Sequence, residues 1–148
     1  NVRVMERLLK KFNTAKTLVP KPVFGQLSQS STMGLVYFGT TDIAIPETMN
    51  LLKSKGIQLD TMRIRAFPFC EDVVNFINDH EQVFLVEQNR DGQMRSLLIT
   101  ECEIDPAKIV PILNYDGFPI TATCIADMVS NLLGKQMSDA DAGNFAAE

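Results

Sequence analysis

A three-layer α/β/α sandwich, built on a mainly parallel sheet of four to five strands, is predicted from three observations. First, Val83-Phe84-Leu85-Val86 is a run of four large apolar residues bounded by polar ones. It is too short for a helix and has the character of a strand buried on both faces of a parallel sheet. Second, strand and helix signals alternate along the chain, as they do in βα repeats. Third, 148 residues make one domain's worth of chain, enough to bury a core without staples.

Taken in order, Val4, Met5, Leu8, Leu9 and Phe12 recur at helical spacing, so the first dozen residues predict an amphipathic helix with a basic outer face. Residues 1–32 are expected to be this helix and a linker belonging with a preceding domain. The Pro- and Ser-rich stretch 20–32 supplies the linker, with a short edge strand at Val23-Phe24. The α/β domain is expected over 33–134. Within it, strand 34–39 leads to helix 45–55, strand 61–66 to helix 71–79, strand 83–88 to helix 93–103, and strand 109–113 to helix 122–133. Pro46 and Glu47 suit a first helical turn, and Gly56 suits a stop. Thr121 reads as the cap of a helix whose stripe is Ala122, Ile125, Ala126, Val129, Leu132 and Leu133, closed by Gly134. The small, acidic remainder, 135–148, is expected to be a disordered tail.

Composition excludes several classes. No apolar run approaches the roughly 20 residues of a membrane-spanning helix, and the opening residues lack a signal peptide's apolar core, so a cytoplasmic setting is the default. Cys70, Cys102 and Cys124 are too widely spaced for a disulfide framework or a metal motif and read as reduced packing residues. His80, beside Asp79 at a helix end, has no second ligand nearby in sequence. Residues 1–21 hold six Lys or Arg against Glu6, whereas 22–137 hold eight basic and fourteen acidic residues. No aromatic is interleaved with the basic arm and the body repels phosphates, which argues against nucleic acid.

Three loops concentrate chemistry at the ends of strands, where open α/β folds usually meet ligands and partners. Gly39-Thr40-Thr41-Asp42 places hydroxyls and a carboxylate at a helix start, yet lacks the glycines and lysine of a phosphate loop; Asp42 is best read as a helix cap. Phe67-Pro68-Phe69 ends the second main strand with two rings that line either the domain's own core or a contact. Glu87, Asn89, Arg90, Asp91 and Gln93 gather donors and acceptors within seven residues. Two readings stay open for this cluster. It presents an interface or ligand loop, or it closes on itself, with Arg90 paired to Glu87 or Asp91 and Asp91 capping the next helix. No nucleophile–base pair accompanies it, so the catalytic residues are none and the metal ligands are none.

The stretch from Val83 through Gln93 to Met94-Arg95, followed by Tyr115-Asp116-Gly117-Phe118-Pro119-Ile120-Thr121, resembles the C-terminal domain of the α subunit of 2-oxoacid:ferredoxin oxidoreductases, closest to the 2-oxoglutarate type. The 34–39 strand, Phe67-Pro68 and Ile104-Asp105-Pro106 also fit, and the resemblance covers roughly 33–133. It implies a fold similar to the transketolase C-terminal domain. The parent enzyme it implies converts a 2-oxoacid and coenzyme A to acyl-CoA and carbon dioxide, using thiamine diphosphate with magnesium and iron–sulfur clusters, with ferredoxin as electron acceptor. The chain lacks that family's Gly-Asp-Gly motif and cysteine cluster, so no cofactor is expected on this fragment and no family catalytic residue carries over. The expected role is structural: a domain that meets other domains of its subunit and the β subunit, without membrane or nucleic acid. Pyruvate and branched-chain 2-oxoacids are alternative substrates. Other classes are a free-standing small-molecule-binding module using the Thr40-Thr41-Asp42 and Asn89-Arg90 loops, and, least supported, a flavodoxin-like electron carrier.

Overall fold

The structure, a computed structural model, describes the backbone of residues 1–25 and 31–145 and the side chains of those up to 135. The order is α1 (Val2–Leu18), β1 (Val23–Phe24), β2 (Met33–Phe38), α2 (Ile45–Ser54), β3 (Asp60–Ile64), α3 (Glu71–Asp79), β4 (Gln82–Glu87), α4 (Gln93–Cys102), β5 (Ile109–Leu113) and α5 (Ala122–Phe145). Short 3-10 turns precede α2 at Gly39–Ala44 and β5 at Pro106–Lys108.

The five strands lie in the order β1-β3-β2-β4-β5. All neighbours are parallel except β1, which pairs antiparallel with β3 through Val23 opposite Arg63 and Phe24 opposite Met62. The sheet thus takes in two residues of the segment expected as linker. Pro111 falls in β5, an edge strand, where a missing amide donor is tolerated.

Period-two alternation divides the buried side chains between two cores. Val36, Met62, Ile64, Val83 and Leu85 pack under α3 and α4 with Val73, Phe76, Ile77 and Leu98. Leu35, Tyr37, Phe84, Val86 and Ile112 pack under α2 and α5 with Leu52, Ile125 and Val129. Both faces are covered, which is why β4 reads as an unbroken apolar run. Gly34 allows a close approach: a Cβ there would meet the Phe76 ring at 2.9 Å.

Expected punctuation holds at several points. Pro46 sits in the first turn of α2. Gly56, at φ +76°, closes that helix, with its own amide donating to the Lys53 carbonyl and that of Ile57 to the Leu52 carbonyl. Thr121 caps α5 by accepting from Cys124 N at 3.2 Å. Two helices outrun their expected limits. α1 extends to Leu18, and α5 passes through Gly134 to Phe145 instead of stopping there. Glycine inside a helix costs only about 1 kcal/mol relative to alanine, too little to end a helix with no proline behind it. The end of the expected tail, 146–148, lies outside the described residues.

Candidate functional site at the strand ends

The chain leaves β2 in one direction to β3 and returns past it to β4, so β2 and β4 flank the point where the winding reverses. In open α/β sheets the crevice outside the strand ends at such a point is the usual binding place. Here it lies between the 39–44 turn and the 88–92 loop, and the structure brings the Thr40-Thr41 and Glu87–Gln93 groups together there. Gln88 bridges the two: its Nε2 donates to Thr41 Oγ1 at 3.2 Å and Thr40 Oγ1 at 3.4 Å, while its Oε1 accepts from Ile120 N at 3.3 Å. Gln88 was not singled out from the sequence, since an exposed glutamine carries no distinguishing signal.

The carboxylate of Glu87, fully buried at the end of β4, accepts from Met94 N at 2.8 Å, Arg95 N at 2.9 Å and Asn89 Nδ2 at 2.8 Å. A negative charge on the first amides of α4 is favoured both by those donors and by the helix dipole. Glu87, not Asp91, therefore caps this helix. The reason is positional: Gly92 at φ +60° turns the chain so that the first turn of α4 points back at the strand it left. Asn89 completes the loop, its Oδ1 accepting from Asp91 N at 3.1 Å and Gln93 N at 3.3 Å. Arg90 pairs with Asp91 at 2.7 Å, and both are exposed.

Asp42 does not cap α2. The 3-10 turn separates β2 from the helix, which starts three residues later without a side-chain cap, and Asp42 instead holds Arg63 of β3 at 2.7 Å. Burial, aided by the Asp42 carboxylate, pushes the nearby Tyr37 phenol above its usual range. Phe67 and Phe69 part company. Phe69 is core, whereas Phe67 is 44% exposed and stands edge-on between Phe69 at 5.2 Å and Phe12 of α1 at 5.5 Å.

The loop after β5 joins the same end of the sheet. Asn114 N donates to the Glu87 carbonyl at 3.0 Å, and Asp116 accepts from Asn114 Nδ2 and Phe118 N at 3.1 and 2.9 Å. That turn leaves Tyr115 66% and Phe118 75% exposed beside a cleft of about 460 Å3. Ile43, in the turn after β2, is 83% exposed at the same end.

His80 closes α3 as a buried structural residue. Its Nδ1 donates to the Phe76 carbonyl at 2.6 Å and its Nε2 meets the Asp60 carboxylate at 3.2 Å. The three cysteines are free; Cys70 is buried and the other two half-buried. Among the described residues no three His, Cys, Asp or Glu converge to hold a metal, and no buried side-chain nitrogen or oxygen lacks a partner. The described residues thus offer no ligand set for an iron–sulfur cluster.

No family model matches the chain. It is 30% identical over 129 residues to the α subunit of 2-oxoacid:ferredoxin oxidoreductase 2 of Aeropyrum pernix, covering 84% of this chain and 20% of that one. It is 28% identical over 124 residues to the corresponding subunit of Saccharolobus solfataricus, covering 80% and 19%. This chain is a homologue of part of the 2-oxoacid:ferredoxin oxidoreductase α subunit. It spans about a fifth of the length of these α-subunit relatives.

Solved oxidoreductases share the fold. The 2-oxoglutarate:ferredoxin oxidoreductase of Magnetococcus marinus, determined with 2-oxoglutarate, coenzyme A and succinyl-CoA bound, superposes at a TM-score of 0.74 with 22% identity, over 87% of this chain and 23% of that one. The α chain of a probable 2-oxoacid ferredoxin oxidoreductase of Thermoplasma acidophilum gives 0.51 with 25% identity, over 77% and 97%.

Proposed function

We propose that the chain is a structural and assembly domain, without catalytic groups of its own, in a cytoplasmic thiamine diphosphate-dependent 2-oxoacid:ferredoxin oxidoreductase acting on 2-oxoglutarate. The parent enzyme would convert the 2-oxoacid and coenzyme A to acyl-CoA and carbon dioxide and send the electrons to ferredoxin. Thiamine diphosphate, magnesium and the iron–sulfur clusters would be held by other domains of the subunit and by the β subunit.

One observation carries the reading. The polar groups at the strand ends are engaged in shaping their own loops, through Glu87 on α4, Gln88 on Thr40 and Thr41, and Asn89 on the turn. Beside the exposed Arg90–Asp91 pair, this end turns three large apolar or aromatic side chains outward: Ile43, Tyr115 and Phe118. Rings and aliphatic groups left in water at the partner-facing end of a sheet suit docking better than chemistry. The same engagement weighs against a free-standing ligand module built on Thr40-Thr41-Asp42 and Asn89-Arg90.

The test of the parent reaction is coenzyme A-dependent reduction of a viologen dye by the assembled α and β chains, prepared anaerobically. 2-Oxoglutarate, pyruvate and branched-chain 2-oxoacids are compared. Selective turnover of 2-oxoglutarate is expected. Selective turnover of another 2-oxoacid would overturn the substrate, and inactivity of a cofactor-loaded complex with all of them would overturn the reading.

A further inference from the structure

α1 is unlike every other helix of the fold. α2 buries Ile45 and Leu52, α3 buries Phe76 and Ile77, α4 buries Leu98 and α5 buries Val129, but none of the 17 residues of α1 is buried. Its stripe stands in water, with Met5 59%, Leu8 49% and Leu9 64% exposed. In proteins a helix takes most of its stability from packing of its apolar face. Among the described residues its second half meets the body, through Phe12 against Phe67, with Lys16 lining a small pocket together with Glu101 and Cys102. An open groove of about 430 Å3 runs between the stripe and Glu101 of α4.

The charge around the stripe specifies what covers it. Arg3, Arg7, Lys10, Lys11 and Lys16 face only Glu6 on this helix. Pairing α1 with α1 of a second copy would set two strongly basic helices side by side, which like-charge repulsion opposes. An anionic lipid surface would attract α1 but repel the acidic body to which Phe12 and Phe67 hold it. A protein surface with an apolar centre and a carboxylate rim satisfies both features. The homologous α subunits are more than four times as long as this chain, so such a surface on an adjoining domain would meet α1 at high effective concentration.

We infer that α1 is a docking helix whose apolar stripe seats on a carboxylate-rimmed apolar surface of a neighbouring domain in the oxidoreductase. The inference rests on the proposed function but concerns a face separate from the strand-end loops. Hydroxyl-radical footprinting of the assembled enzyme and of the 148-residue chain tests it, with Met5 as the reporter. Met5, 59% exposed, should be oxidised readily in the chain, and several-fold protection is expected in the assembly. The double variant Arg7→Glu/Lys11→Glu should reopen Met5 to oxidation in the assembly, whereas Arg7→Lys should leave it covered.

Equal oxidation of Met5 in both samples overturns the inference. So does protection of the chain by phosphatidylglycerol vesicles without protection in the assembly, or protection in the chain alone accompanied by the mass of a dimer. Dye reduction separates the two proposals. An active enzyme with Met5 exposed removes the docking helix alone; an inactive, cofactor-loaded complex with Met5 covered removes the family reaction alone.

Discussion

Replacing Glu87 with alanine removes the acceptor shared by Met94 N, Arg95 N and Asn89 Nδ2. Two backbone donors of the first turn of α4 then lose their protein partner, at about 1–3 kcal/mol each. The lost favourable charge at the helix start adds about 0.3–1 kcal/mol. Against this, a buried carboxylate no longer has to be dehydrated, and water can reach the half-buried residues 94 and 95, which recovers part of the loss. The net expectation is a destabilisation of about 2–4 kcal/mol, large but smaller than the ~5–15 kcal/mol of an ordinary domain. Urea unfolding followed by circular dichroism suits the chain, which has no tryptophan. With a slope of roughly 1.5–2 kcal/mol/M the midpoint falls by about 1–3 M. Glu87→Gln keeps the shape and one acceptor oxygen but aims an amide NH2 at backbone donors, so it should cost about half as much. A midpoint unchanged by Glu87→Ala, or Gln as damaging as Ala, would refute the capping argument.

Arg90→Ala should change the unfolding free energy by less than about 0.5 kcal/mol, because its pair with Asp91 is exposed. In the assembled enzyme the same variant should loosen subunit association, seen by native mass spectrometry; a large loss of thermal stability with assembly intact would contradict the docking role of this loop. Gly34→Ala drives a methyl into the buried Phe76 ring and should cost about 1–3 kcal/mol in urea unfolding. Burial raises the Cys102 thiol above its ordinary value of 9.0. The folded state therefore holds that proton more tightly, and the corresponding stability is fully present below pH 9.0 and declines as the pH rises toward the folded value. Cys102→Ala should flatten this alkaline decline, and an unaltered stability–pH profile would count against it.

Most of the fold was legible because its signals are local and redundant. β4 announced itself as a four-residue apolar run, Gly56 stopped α2, and Thr121 capped α5. Gly134 misled, since a lone glycine costs a helix only about 1 kcal/mol. The site was legible as a location but not as a set of partners. That the cluster would fold upon itself was one of two open readings, yet which carboxylate caps α4 depends on the left-handed turn at Gly92. Asp42 found Arg63, and Gln88 found Thr40 and Thr41, across strands that are neighbours only after the chain crosses over. Phe69 is buried among core residues of α3 and α4, whereas Phe67 meets Phe12 of α1, a contact between segments far apart in sequence.

The claim that the strand-end loops serve docking, not chemistry, is tested most directly by the double variant Tyr115→Ser/Phe118→Ser in the assembled oxidoreductase. Both rings are largely exposed, so the chain itself should unfold at its usual midpoint. Subunit association, measured by native mass spectrometry over a dilution series, should weaken, while the fraction that remains assembled reduces viologen dye at the normal kcat. Unchanged association together with a collapse of kcat would contradict the account and place these loops in the chemistry.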